Sequence, residues 1–126
     1  MGISGGWMRA IIKLSHTHKK LKEAGWTLFD IDNFNLKASL GVAIREFPLK
    51  NGYTDYLLFV EGQAVGVVEA KPEGTPLIGV SEQTRKYIQG IPDDVPHVQG
   101  PLPFAYESTG LFYAQGVKAN VLFFDL

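Results

Sequence analysis

Gly52-Tyr53-Thr54-Asp55-Tyr56-Leu57-Leu58-Phe59-Val60, then Glu61-Gly62, then Gln63-Ala64-Val65-Gly66-Val67-Val68-Glu69-Ala70-Lys71 is the stretch on which the fold turns. Two runs rich in β-branched and aromatic residues, Tyr53–Val60 and Ala64–Lys71, flank Glu61-Gly62-Gln63, a strong hairpin signal. On the second run Glu69 and Lys71 stand two apart and emerge on one face, with Ala70 on the other. Asp55 is the acid of the first run, and parity decides whether it shares that face. A two-residue loop, Glu61-Gly62, sets Asp55 opposite Val68 and sends it to the wrong side. A three-residue loop, Val60-Glu61-Gly62 with Gly62 left-handed, sets it opposite Val67 and diagonal to Glu69, at roughly 7–8 Å between backbone positions. The sequence therefore predicts an odd loop or a bulge.

Two carboxylates held a few ångströms apart repel each other unless a proton or a cation intervenes. Mg²⁺ suits such a pair because it prefers hard oxygen ligands and keeps several waters. It makes water a usable nucleophile and polarises a phosphoryl oxygen. Lys71 beside the pair can stabilise charge developing on a phosphate or help activate the attacking water. The competing reading of Asp55, Glu69 and Lys71 is a salt-bridge cluster at a sheet rim. Residue chemistry alone leaves both open.

Outward from the hairpin, Ala38–Leu49 reads as a strand ending at Pro48, which cannot donate to a ladder and marks an edge or strand end. Asn51-Gly52 reads as a turn. Trp7–Ala24 reads as a helix, with Met8, Ile11, Ile12 and Leu14 near one face, Gly25 as its C-cap and Trp26 packing beyond. Lys13, His16, His18, Lys19, Lys20 and Lys22 read as a solvated face, with phosphate contact as the sharper alternative. A polar stretch, Asp30–Asn35, separates this helix from the strands. Downstream come a loop at Pro72–Pro76, a helix at Val80–Gln89 stopped by Gly90, and a connection holding Pro92, Pro96, Pro101 and Pro103. Phe104–Ser108 reads as a short strand. Val117–Leu126 reads as a terminal strand whose exposed Val121–Phe124 edge invites self-pairing, hence a homodimer. The order, without internal repeat, predicts an α/β fold built on a mixed sheet flanked by helices.

Composition narrows the function classes. With 126 residues the chain makes one compact domain. Twelve basic against thirteen acidic side chains leave a net charge of −1, which excludes a strongly basic nucleic-acid coat protein. It does not exclude a nuclease with a local basic groove. The absence of cysteine removes zinc ribbons, thiol catalysis and disulfide frameworks. No apolar run is long enough to span a bilayer. Met1–Gly6 reads as a flexible leader: it has no charged and apolar signal regions, and Gly6 stands where myristoylation needs Ser or Thr. A cytoplasmic location without membrane contact is the expectation.

Together, Arg45-Glu46-Phe47-Pro48-Leu49, Gly52–Val60 and Gly66–Lys71 resemble the N-terminal nuclease domain of the restriction (R) subunit of type I restriction–modification enzymes. Leu21-Lys22-Glu23-Ala24-Gly25-Trp26, Gln83, Tyr87 and Leu102–Gly110 extend the resemblance to about residues 18–110. It implies a restriction-endonuclease-like fold of the PD-(D/E)xK superfamily and a domain spanning 7–110. It implies DNA as substrate, and Mg²⁺ (with Mn²⁺ as substitute) held by Asp55 and Glu69 with the carbonyl of Ala70. Lys71 is then the catalytic lysine, and Gln83 and Tyr87 are the family's Q-xxx-Y element, whose spacing puts both on one helical face. Arg85 and Lys86 beside them read equally as phosphate contacts or solvated charge. The first helix of this superfamily often supplies a further acid; here it offers Glu23, near its end, and that role stays unassigned.

Type I restriction subunits continue into ATP-driven translocase domains, whereas this chain has no G-xxxx-G-K-[S/T] loop and no expected ATP site. The restriction-subunit resemblance fades after Gly110. Gln115–Phe124, within a terminal segment 111–126, resembles a strand of the methyltransferase (M) subunit, although no Asn/Asp-Pro-Pro-aromatic motif accompanies it. The functional expectation is an Mg²⁺-dependent DNA endonuclease domain without the translocase. The alternative is a non-catalytic remnant that binds DNA or other restriction–modification subunits.

Overall fold

The computed structural model describes residues 17–71 and 82–108. Its first element, α1 (17–23), is closed by Gly25, whose φ of 100° suits a residue without a Cβ. The Gly25 and Trp26 amides return to the Lys22 and Leu21 carbonyls, both at 3.1 Å. Five strands and a second helix follow: β1 (Thr27–Asp30), β2 (Gly41–Leu49), β3 (Gly52–Val60), β4 (Gln63–Ala70), α2 (Glu82–Gln89) and β5 (Phe104–Ser108). Strand order in the sheet is chain order. The outer strands β1 and β5 run parallel to their neighbours, and the inner pairs are antiparallel. This is the expected α/β, restriction-endonuclease-like mixed sheet with a helix on each face. Leu21 of α1 packs with Trp26, Tyr56, Leu58 and Val68 on one side. Tyr87 of α2 packs with Ile44, Leu57, Phe59 and Val67 on the other.

Some expectations shift. β1 lies within a stretch that carried no strand signal, and β2 starts at Gly41 rather than Ala38. β1 pairs with β2 only from Val42 to Arg45. Pro48 lies past that contact, so its missing N–H costs β1 no ladder bond. Glu46 takes φ 53° and resets the alternation: Val42 and Ile44 before it, and Phe47 and Leu49 after it, reach the same apolar cluster.

The hairpin loop is even, not odd. Val60 pairs with Gln63, and Glu61 and Gly62 take φ 52° and 80°, the paired positive angles of a type I′ turn whose twist matches the flanking strands. The three-residue loop with Asp55 opposite Val67 is therefore not formed. Parity is restored by a bulge: Phe59 pairs with Ala64 but Leu58 with Gly66, leaving Val65 as the extra residue. The shifted register continues to Tyr56↔Val68, which brings Asp55 directly across from Glu69.

Gly66, beside the bulge, lies close against Phe104 of β5. A Cβ there would lie 2.6 Å from the Phe104 carbonyl oxygen and 2.7 Å from the Phe104 Cβ. Gly66→Ala is expected to cost about 1–3 kcal/mol by forcing the strands apart, read as a lowered urea midpoint. An unchanged midpoint would show that β5 packs more loosely than described.

Among the described residues no helix is long and apolar enough to cross a membrane. The leader 1–6, Lys13, His16, the Pro72–Pro76 loop and the terminal strand with its dimer edge lie outside the described residues.

Candidate active site

The β3–β4 ladder ends at Tyr56↔Val68. One step further, two carboxylates take over the main-chain donors. The Ala70 N–H donates to Asp55 Oδ2 at 2.7 Å, and the Asp55 N–H donates to Glu69 Oε2 at 2.9 Å. Each acid is thus fixed by the backbone of the strand opposite. The Thr54 hydroxyl donates to the same Glu69 oxygen at 2.9 Å. Such charge-assisted bonds orient a carboxylate more firmly than side-chain packing alone.

The geometry sets the electrostatics. Glu69 is 7% exposed. Burial first, and then the charge of Asp55, push its carboxyl up to about 7, against the opposing pull of the Asp55 N–H, the Thr54 hydroxyl and Lys71. Lys71, one residue past β4, is close enough for its charge to act on Glu69, yet forms no ion pair with a described residue. Among the described residues no ion pair joins Asp55, Glu69 and Lys71 into the salt-bridge cluster that the sequence left open.

α2 closes the site from above the sheet. Its inward residues are Thr84 and Tyr87. The Gln83 amide donates to the Tyr87 hydroxyl oxygen at 2.9 Å, which leaves the phenolic proton available to donate elsewhere. That hydroxyl lies 3.4 Å from where a Cβ of Gly52 would stand, so the β2–β3 turn seats the ring. Burial, then the charges of Glu69 and Asp55, hold the Tyr87 phenol above its ordinary value. The structure thus joins Asp55, Glu69 and the Ala70 amide in one fork, with Lys71 and Tyr87 within electrostatic reach of it and the exposed Gln83 bonded to Tyr87. Arg85 and Lys86 are exposed on α2.

Other candidates lie apart. Glu23 pairs with Lys20 at 3.5 Å on the surface of α1. His18 and Lys22 line a cavity of about 310 Å³ with Trp26, Thr27 and Leu28. That cavity belongs to the α1 side, where His18 Nδ1 lies 3.4 Å from the Tyr56 hydroxyl. Burial, then Arg45 and Lys22, push the His18 imidazole below its usual range. This basic face thus lies across the sheet from the two acids.

Three residues escape a reading of the sequence. Thr54 is fully buried and was masked by its place in an ordinary strand pattern, although a polar residue at an inward position next to an acid is a usable signal. Thr84 and Glu107 are buried together, with the Thr84 hydroxyl donating to Glu107 Oε2 at 2.8 Å. Glu107 is the register partner of Glu69 on β5, a pairing that no local spacing announces.

Among the described residues no group of three or more His, Cys, Asp or Glu side chains is placed to hold a metal, so the oxygen donors on offer are the two carboxylates and nearby carbonyls. They fit a hard divalent cation. Both acids are pre-oriented through one oxygen, and the Asp55 charge, which adds to burial in raising Glu69, is what such a cation offsets.

Residues 36–120 match the family model of the type I restriction enzyme EcoKI endonuclease subunit second domain. The match spans the whole fork and α2. It names the second domain of the subunit, where the sequence suggested the N-terminal one, and it runs ten residues past Gly110, into the segment that resembles a methyltransferase strand. Comparison with curated proteins and with solved structures gives no match.

Proposed function

The chain belongs to the family of the type I restriction enzyme endonuclease subunit second domain, and on that premise we propose that it is a divalent-metal-dependent DNA endonuclease domain of the PD-(D/E)xK type. One observation carries the reading: two acids on neighbouring strands are aimed into a single fork by each other's backbone, with Lys71 and Tyr87 within electrostatic reach. Asp55 and Glu69, with the Ala70 carbonyl, would hold Mg²⁺ or Mn²⁺. The chemistry supplied by such a cation is polarisation of a phosphoryl oxygen and acidification of water. Lys71 then carries a fixed positive charge beside the scissile phosphate, where negative charge grows in the transition state. Gln83 and Tyr87 orient the phosphate and its attacking water from α2. DNA and the other subunits of a restriction–modification system are the partners this reading implies.

Purified protein with Mg²⁺ or Mn²⁺ is expected to nick supercoiled plasmid, and EDTA to stop it. Asp55→Asn is expected to lower the rate at least about a hundredfold by removing one of the charges that hold the cation. Wild-type protein that stays inert across metals and protein concentrations would overturn the reading. Salt-sensitive DNA binding without metal affinity would identify a binding module instead.

A further inference from the structure

We propose that Thr84 and Glu107 are positioning residues, their hydrogen bond fixing the rotation of α2 and thereby the aim of Gln83 and Tyr87 at the Asp55–Glu69 fork. The inference rests on the nuclease reading for its catalytic consequence, but its geometry stands apart from it.

α2 has eight residues, too few to hold its shape without tertiary support. Thr84 and Tyr87 are its buried residues and Ile88 packs partly buried against the same core, so the apolar contacts that hold the helix lie in its second half. The C-terminal half is pinned by the main chain. Asn51 Nδ2 donates to the Lys86 carbonyl at 2.9 Å. The Leu102 N–H donates to the Ile88 carbonyl at 2.9 Å, and the Lys50 N–H to the Gly90 carbonyl at 2.8 Å. None of these reaches the first turn, where Gln83 sits. There, among the described residues, the side-chain bond from Thr84 to Glu107 ties the helix to β5.

The chemistry of that bond also favours a geometric role. Thr84 is fully buried and Glu107 is 8% exposed. Burying a carboxylate is costly, and an apolar pair of similar volume would hold a helix down at lower cost. What a carboxylate–hydroxyl pair adds is direction. Because Glu107 pairs with Glu69 across β4 and β5, the bond references the helix to the strand that bears the buried acid. Thr84 is adjacent to Gln83 and one turn from Tyr87, so a modest roll displaces both. Misplacement of a catalytic group by about an ångström is enough to cost up to a hundredfold in rate.

The test uses the full chain and three variants. Thr84→Val keeps the shape and removes the donor, Thr84→Ser restores it, and Glu107→Gln keeps an acceptor while removing the charge. Two readouts are followed: the nuclear Overhauser contact between the Tyr87 ring and the Gly52 Hα, and plasmid nicking alongside Mn²⁺ affinity. Thr84→Val is expected to lose the contact and about tenfold in nicking rate at saturating DNA, with Mn²⁺ affinity held within about twofold because its ligands stand on strands. Thr84→Ser and Glu107→Gln are expected to behave as wild type. Should Thr84→Val fail to fold, Glu107→Met removes the acceptor without stranding a buried charge and is expected to show the same losses. The proposal is overturned if the soluble donor or acceptor variant keeps the Tyr87–Gly52 contact, or if Glu107→Gln loses as much as Thr84→Val, which would assign the effect to charge. A wild-type chain that nicks no DNA sinks the nuclease reading and leaves the Tyr87–Gly52 contact to decide this one.

Discussion

In metal-free buffer at pH 8, Glu69→Gln is expected to make the domain more stable than wild type, by roughly 2–3 kcal/mol. The folded chain lifts this carboxyl from 4.5 to about 7, chiefly by burying it and then by setting Asp55 beside it. Between those two values the folded state holds a proton that the unfolded state has released. Stability is therefore complete below about 4.5 and declines as pH rises through about 7, when the native carboxyl must ionise in place. Glutamine keeps a carbonyl oxygen for the Thr54 hydroxyl and the Asp55 amide, so both bonds survive while the repulsion goes. Urea titrations of the two proteins at pH 5 and pH 8, with EDTA present, measure the difference. Wild type should lose stability between those conditions and Glu69→Gln should not. Added Mn²⁺ should then restore wild type and leave the variant unmoved. A variant weaker than wild type at pH 8 would mean that Glu69 is held by favourable charge, as in the salt-bridge alternative, and that the fork is no cation site.

How much of this was legible in the sequence follows from the range of the interactions involved. The hairpin was legible because its signals are local: alternating strand residues and a Glu61-Gly62 turn. Gly25, Gly90 and the strand Phe104–Ser108 were legible for the same reason. The phase of the hairpin was only half legible. Val65-Gly66-Val67-Val68 is apolar at every position, so either register buries it equally well, and the requirement for a bulge came from the acids rather than from the strand. β1 was missed because Thr27–Asp30 has a parallel partner more than ten residues away and shows no alternation of its own. The positive φ at Glu46 was missed because glutamate does not advertise it. Glu107 was missed because the parallel pairing that sets it beside Glu69 joins residues 38 positions apart. The resemblance supplied Gln83 and Tyr87, whose spacing alone also fits plain core packing; the structure adds the hydrogen bond between them and the turn that seats the ring.

Lys71→Ala is expected to reduce DNA nicking at least about a hundredfold, the scale seen when one group that stabilises developing charge is removed, without weakening Mn²⁺ binding at pH 8. The two halves of the result have different physical origins. Lys71 pulls the Glu69 carboxyl down, so its loss raises that carboxyl further, but at pH 8 most of the acid is still ionised. Removing a positive charge beside two carboxylates also removes a repulsion from an incoming cation. Metal affinity should accordingly hold or tighten, by calorimetry, while turnover collapses. Lys71→Arg separates the two tasks open to the lysine. A guanidinium keeps the positive charge at all accessible pH but cannot give up a proton. Substantial activity in the arginine variant would assign Lys71 to charge stabilisation. Activity no better than alanine would assign it to activating water. Equal nicking by wild type and Lys71→Ala would remove the lysine from the chemistry and leave the fork as a cation-binding fold element.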